Sequence, residues 1–442
     1  MKSKCSVTLL GVLSLSSGPL LAGDLNDTVH KAIVYNPDVL VTQDDRQAIE
    51  QNVREAKAGY LPRVDLNAGI GGEKSDNTST LGATGRQGYL GLHREESGIK
   101  ITQMLFDGFF TQQEVARQKA TLQAASFRVL AAAEDVGLRA TQTYIDVLRR
   151  REQVELAKDN LAAHQRVFDQ IRMRSERGVG RVADTDQAAG RLALAKANLE
   201  AQMGNLRDAE IAYMRVVGEM PTDLAQPTAP ADALPADMQA LAAEAVQTHP
   251  TLASAVADID ATRAQHEQAR ANDYPRFDLE LGASHNSNID GVRGADEDLI
   301  AMVRMNYNIY RGGADLARKR STAHRISQAE RVRDRARDQV VEEAGLSWND
   351  YQTAQTRLDL LRQHADSANA TRGAYLKQFN IGQRTLLDLL DTENERFVAE
   401  LNYIDGKYRL LFAHYRIIAS KGQLLGSMGV TPPDSSSDQS GS

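Results

Sequence analysis

Asp388 and Asp391 are the residues whose type and spacing could act on a charged solute. Three positions apart in a helical stretch, they share one face, so their carboxylates would present a single acidic site. Read alone they leave two accounts open: a constriction that attracts cations, or a helix cap at Asp388 beside a solvated charge at Asp391. The chain has no Gly-x-x-x-x-Gly-Lys loop, no His-Glu-x-x-His and no Gly-x-Ser-x-Gly. No catalytic residue, cofactor or metal site is therefore expected, and an enzyme is not expected either. The nine histidines are scattered, and His266 beside Glu267 reads, like His364, as an exposed helix residue.

The elements that must position these carboxylates begin with a leader. Lys2 and Lys4, an apolar run from Val7 to Leu15 and small residues up to Ala22 form the pattern of a secretory signal peptide, residues 1–22. The run is too short to span a bilayer. The one cysteine, Cys5, falls inside it, so the mature chain is expected to hold no disulfide, no thiolate metal site and no lipidation site at the cleavage point. Removing Lys2 and Lys4 from 52 basic residues leaves 50 against 59 acidic ones, which argues against nucleic acid as a partner. No later segment has the roughly 18 consecutive apolar residues of a membrane helix. Contact with a membrane must then be made by a β-barrel or at the surface.

The chain repeats itself. Asn36-Pro37 matches His249-Pro250, and Pro62-Arg63-Val64-Asp65-Leu66 matches Pro275-Arg276-Phe277-Asp278-Leu279, both 213 positions on. Leu105-Phe106-Asp107-Gly108 matches Ile309-Tyr310-Arg311-Gly312, and Tyr144, Gly178, Asp184 and Gly218 match Trp348, Gly382, Asp388 and Gly422, all 204 positions on. The single shift of nine falls in the Gly, Ser and Thr-rich stretch 71–88, a loop where an insertion is cheap. Two units are expected, 23–218 and 238–425, joined by a linker, 219–237, that carries Pro221, Pro227, Pro230 and Pro235. The tail, 426–442, is expected to be disordered.

Each unit reads as a helix (Asp24 to about Gly59; Leu234 to about Asn272), two strands and two long helices. The strands are expected near 63–77, 97–106, 276–286 and 298–310. Phe277, Leu279, Leu281 and Ala283 alternate with Asp278, Glu280, Gly282 and Ser284, and Leu299 to Ile309 alternate likewise. Phe106, Phe109, Phe110, Tyr274, Phe277, Tyr307 and Tyr310 gather at one end of the strands, as an interfacial girdle would. Two half-buried hairpins on a soluble core fit the alternation equally well. No other part of a unit is free to cover the apolar face, however, and four strands cannot close a barrel when the smallest need about eight. Several copies must contribute strands to one barrel, since lipid does not tolerate an open edge.

The helices expected at 108–177 and 312–379 lack proline, and each is followed by a return helix, 184–217 and 386–421. At 1.5 Å per residue the longer ones reach roughly 100 Å, a length that indicates coiled coils. Alanines recur along them and charges surround them, which suits a wall between a wet lumen and solvent.

The turns between the long helices are Arg177-Gly178-Val179-Gly180-Arg181-Val182-Ala183-Asp184 and Ile381-Gly382-Gln383-Arg384-Thr385-Leu386-Leu387-Asp388. With the Asn-Pro pair, the Pro-Arg-x-Asp-Leu strand entry and the Phe-Asp-Gly and Tyr-Arg-Gly-Gly strand exits, these turns make nearly the whole mature chain resemble the TolC family. The resemblance implies an α+β membrane protein. Its trimer closes a 12-stranded outer-membrane barrel over a periplasmic coiled-coil barrel, surrounded by outer-membrane lipid. Implied partners are a periplasmic membrane-fusion adaptor, docking at tip residues Gly178, Val179, Gly180, Gly382 and Thr385, and an inner-membrane ABC transporter or RND pump. Asp388 and Asp391 would ring the periplasmic entrance as a gate, their crowding raising some carboxyl pKa values. Arg384 and Asp184 match a link that holds such entrances shut, but Phe379 and Ala183 replace the family's tyrosine and threonine.

The expected function is the exit duct of type I protein secretion, with a large adhesin-like substrate. The lack of a lipobox cysteine favours it over drug or metal efflux, the alternative. A periplasmic coiled-coil scaffold without barrel strands is the third reading.

Overall fold

A computed structural model of the chain describes residues 24–228 and 234–433. The expected signal peptide, residues 229–233 of the linker and the tail from 434 lie outside them. The elements are α1 (Leu25–Tyr35), α2 (Pro37–Ala58), β1 (Arg63–Ser75), α3 (Thr78–Thr84), β2 (Leu90–Phe106), α4 (Phe110–Glu176) and α5 (Val182–Val217), followed by α6 (Met238–Thr248), α7 (Pro250–Ala269), β3 (Arg276–Ser287), β4 (Ala295–Asn306), α8 (Ala314–Asn380), α9 (Leu386–Ser420) and α10 (Leu424–Ser427). The two long helices, α4 and α8, have 67 residues each and begin 204 positions apart, at residues 110 and 314.

Where one helix was expected before each strand pair, there are two. Asn36 and His249 sit in extended conformation, and their side chains accept hydrogen bonds from the Asp38 and Thr251 amides at 3.0 and 3.2 Å. A proline at the first helical position then starts α2 and α7. The Asn-Pro and His-Pro pairs are thus helix junctions.

The four strands form one antiparallel sheet in the order β1-β2-β3-β4. The register sets Val64, Ile101, Leu281 and Ala301 in one row and Leu66, Ile99, Ala283 and Leu299 in the next. This face is bare: Leu66 is 81% exposed and Leu299 89%. The other face carries the ion pairs, with Ile300 and Met302 among them. There Glu280 holds Lys100 at 3.2 Å and Arg304 at 3.0 Å, Arg276 holds Asp278 and Arg63 holds Asp65. A bulge at Leu105 skips one residue of β2 and brings Phe106 opposite Phe277.

Four strand boundaries differ from expectation, one of them the start of β4 at Ala295, where backbone pairing with Ser287 extends the ladder three residues before 298. β2 begins at Leu90, because Leu90–Arg94 pairs with Gly71–Ser75 of β1 and backbone pairing outweighs a weak side-chain pattern. β1 stops before Asn77, which caps α3 through a reciprocal bond pair with Thr80. β4 ends at Asn306, leaving Tyr307 and Tyr310 beyond the ladder.

The main core gathers α1, α4, α5 and α9 around the buried Tyr144, Ile33, Val136, Tyr213 and Tyr415. Part of the expected tail joins it: Gly426 and Ser427 lie in α10 and Val430 is buried, next to Leu424 and Leu425, which close the second unit and are fully buried. Glu134 on α4 accepts the Leu424 and Leu425 amides at 2.8 and 3.3 Å, satisfying the start of α10. The linker is anchored too, since Tyr144 and Tyr415 donate to the carbonyls of Ala225 and Thr228 at 2.6 and 3.0 Å.

Candidate functional site

The two helical hairpins, α4–α5 and α8–α9, each turn on a glycine in the left-handed region, Gly178 at φ +73° and Gly382 at φ +77°. Both turns close alike, the Val179 amide donating to the Arg174 carbonyl at 3.0 Å and the Gln383 amide to the Gln378 carbonyl at 2.9 Å. Gly180 passes so near Ser175 that a Cβ would lie 3.0 Å from its backbone nitrogen. Val179 is 82% exposed at the first tip with Val182 exposed after it, and Ile381 is exposed at the second.

Beneath the turns the hairpins are packed on one another. Phe379 is buried with Val167, Ile171, Ala188, Leu386, Leu389 and Leu390, and the Arg174 guanidinium lies 5.4 Å from its ring centre. The position lacks a hydroxyl but is filled, so this part of the tip is joined by apolar contact.

Asp388 closes a capping box with Thr385. The Asp388 amide donates to Thr385 Oγ1 at 3.2 Å, while Asp388 Oδ2 accepts the Thr385 amide at 3.1 Å and its hydroxyl at 2.8 Å. These bonds, with the charge of Arg384 nearby, hold the Asp388 carboxyl below its ordinary value. The expected rise through crowding has no source within one chain. Asp391 reaches across to α5 and pairs with Arg191 at 2.6 Å.

Arg384 does not meet Asp184 within the chain. Its Nε donates to Gln378 Oε1 at 3.0 Å, and its guanidinium stacks 4.1 Å from the Tyr375 ring centre. Asp184 lies in the first turn of α5, its amide bonded to the Arg181 carbonyl at 3.2 Å. An aromatic face close by captures the guanidinium before it can reach the other hairpin.

One group was not anticipated. Glu393 is 1% exposed on α9 and pairs with Arg372 of α8 at 2.6 Å and Arg396 at 3.6 Å. His164 of α4 is buried beside it; burial depresses its imidazole pKa, with Glu393 opposing that shift and Arg191 adding to it. A signal was available: Leu386, Leu389, Leu390 and Phe397 form an apolar stripe at helical spacing, and Glu393 interrupts it.

At the far end of the long helices, Phe106, Phe109 and Tyr274 meet edge to face, with centroids 5.3 to 6.4 Å apart. Phe277 stands opposite Phe106, while Phe110, Tyr307 and Tyr310 are exposed around them. Gly108, at φ +69°, runs so close to Ala271 that a Cβ would strike its carbonyl oxygen, and Asp107 caps α4 by accepting the Thr111 amide at 2.9 Å. No helix among the described residues is long and apolar enough to cross a membrane, and no group of His, Asp or Glu there could hold a metal.

A chain with this arrangement has counterparts. The model of the family described as outer membrane efflux protein matches residues 28–219 and 241–423. Outer membrane efflux protein BepC of Brucella suis is 26% identical over 95% of this chain and 91% of its own. Alkaline protease secretion protein AprF of Pseudomonas aeruginosa is 24% identical over 89% of this chain and 83% of its own. Among solved structures, the outer-membrane channel OprN superposes with a TM-score of 0.76 at 19% identity, covering 90% of this chain and 89% of that one.

Proposed function

The chain belongs to the outer membrane efflux protein family, and from that premise we propose that it is the exit duct of a type I secretion machine, assembled from three copies. It is a TolC-like channel of the Gram-negative outer membrane that extends into the periplasm, and it is not an enzyme. Channels of this kind work with periplasmic adaptors and inner-membrane transporters.

The observation that carries the assembly is a sheet with one bare apolar face and two free edges, β1 and β4. Lipid covers the face, and the edges are satisfied by the edges of other copies. Strand directions alternate from β1 to β4, so β4 of one copy beside β1 of the next continues the antiparallel order. The helices follow the same order as the strands. α2 and α5 flank α4 on the β1 side, and α8 packs on α7 and α9 on the β4 side. Three copies then give a 12-stranded barrel over a helical tube with six hairpin tips at its periplasmic end.

At that end Asp388 and Asp391 form the gate, and Arg384 and Asp184 of neighbouring copies supply the link absent within one chain. Gly178, Val179, Gly180, Gly382 and Thr385 present the tips to the adaptor. The interfacial aromatics mark the periplasmic membrane boundary. Secretion is favoured by the likeness to AprF, named for protease secretion, and an ABC transporter is the pump that reading requires; the likeness to BepC, named for efflux, makes drug or metal efflux through an RND pump the second reading.

Deleting the gene and following both outputs separates them. Loss of a large secreted protein with unchanged drug tolerance supports secretion. Unchanged secretion with new drug sensitivity replaces it with efflux.

A further inference from the structure

Two helix faces near the sheet carry opposite charges at matching intervals, and neither has a neighbour within the chain. α2 packs through its buried Val39, Arg46 and Val53, with α4 as its neighbour. α8 packs through its buried Thr322, Ala336 and Val340, the first two lying against His266 and Leu252 of α7 and the third against α6. At about 100° per residue, Asp44, Ala48 and Glu55 fall on the opposite side of α2, and Arg320, Ser327 and Arg331 on the opposite side of α8. All six are exposed. Asp44, Glu55 and Arg320 have no ion pair among the described residues, and Arg331, whose side chain is 84% exposed, touches only Asp334 of its own helix at 3.3 Å.

The intervals agree. Glu55 follows Asp44 by 11 residues (55 − 44), and Arg331 follows Arg320 by 11 (331 − 320), about 16 Å on either helix. The directions agree as well, since α2 runs toward β1 and α8 runs away from β4. Side by side they are antiparallel, which places Glu55, three residues from the end of α2, level with Arg320, six residues into α8. Ala48 and Ser327 between the charges are small enough for close approach.

We infer that a second copy of this chain docks its α2 against α8, held in register by the ion pairs Glu55–Arg320 and Asp44–Arg331. The inference rests on the ring assembly proposed above and adds what selects its hand. Two α2 faces would bring acid against acid and two α8 faces base against base, so the surfaces reject a twofold pair and accept only a head-to-tail contact that can close a ring.

The test uses the full chain in detergent with Cys5→Ser, so that introduced thiols are the only ones. Glu55→Cys combined with Arg320→Cys, treated with a short bifunctional thiol reagent, is expected to give linked multimers on a denaturing gel, and each single variant none. Arg320→Glu with Arg331→Glu is expected to lower the recovered oligomer by about tenfold, and adding Asp44→Arg with Glu55→Arg to restore it. An intact oligomer that neither cross-links nor responds to reversal overturns the pairing and leaves the ring standing. An unmodified chain that is monomeric in detergent overturns both.

Discussion

Asp391 of α9 holds Arg191 of α5 at 2.6 Å, so one of the two acidic residues of the proposed gate is already paired inside its own chain. Asp388 is free to attract cations only with the oxygen that its capping box leaves exposed. Arg191→Gln is therefore expected to increase cation selectivity in planar bilayers and to strengthen block by trivalent cations by about tenfold, an effect of order 1 kcal/mol for one partly exposed pair. Asp388→Ala with Asp391→Ala should abolish the block. An Arg191→Gln channel with unchanged block would mean that Asp391 does not face the conduction path.

The Asp388 cap also has a pH signature. Its carboxyl titrates below the ordinary value in the folded chain, so the cap's contribution is present above that ordinary value and is lost as pH falls through the lowered one. Amide exchange at Leu389 and Leu390, corrected for intrinsic rate, should accelerate only in strong acid, and Thr385→Ala should move that acceleration to higher pH.

Glu393 joins α9 to α8 from a buried position, paired with Arg372 and Arg396. Glu393→Ala leaves two guanidinium groups without a counter-charge and should cost about 3–5 kcal/mol, read as a lower thermal midpoint. A loss under about 1 kcal/mol would show that solvent reaches the pair.

Gly108 cannot accept a side chain, because its φ is positive and the Ala271 carbonyl occupies the Cβ position. Gly108→Ala should destabilise the junction of β2 and α4 by about 2–4 kcal/mol. Gly382→Ala, strained in φ but with open space around it, should cost about 1 kcal/mol. Equal losses in urea unfolding would contradict this ordering.

Burial pushes the Glu134 carboxyl up from 4.5 to about 7, against the lowering by the Leu424 and Leu425 amides. The folded chain binds this proton more tightly than the unfolded one. Docking of α10 is thus firmest below the ordinary value and weakens as pH rises through about 7. Exchange at Leu424 and Leu425, normalised for intrinsic rate, should quicken over that interval, and Glu134→Gln should flatten the response.

Much of the fold was legible because it is periodic. Alternation along Phe277–Ala283 marked a strand, and the proline-free stretch 312–379 marked a helix of the observed length. The junctions at Asn36 and His249 were read as one continuous helix each because a proline at a first helical position resembles one within a helix until the cap is seen. α10 escaped notice because what orders it, the buried carboxylate of Glu134, lies 290 residues away in sequence (424 − 134). At the site, a helix cap at Asp388 was one of the two accounts that spacing left open, and the box with Thr385 bears it out. Spacing could not tell that Arg384 prefers the Tyr375 ring to Asp184, since that choice depends on which helix faces lie within reach at the turn.

The central claim is that four strands per chain close a membrane barrel only between copies. Native mass measurement of the purified protein in detergent micelles tests it most directly. The expected result is a single species of three chains that requires detergent for recovery. A monomer recovered without detergent would contradict the claim.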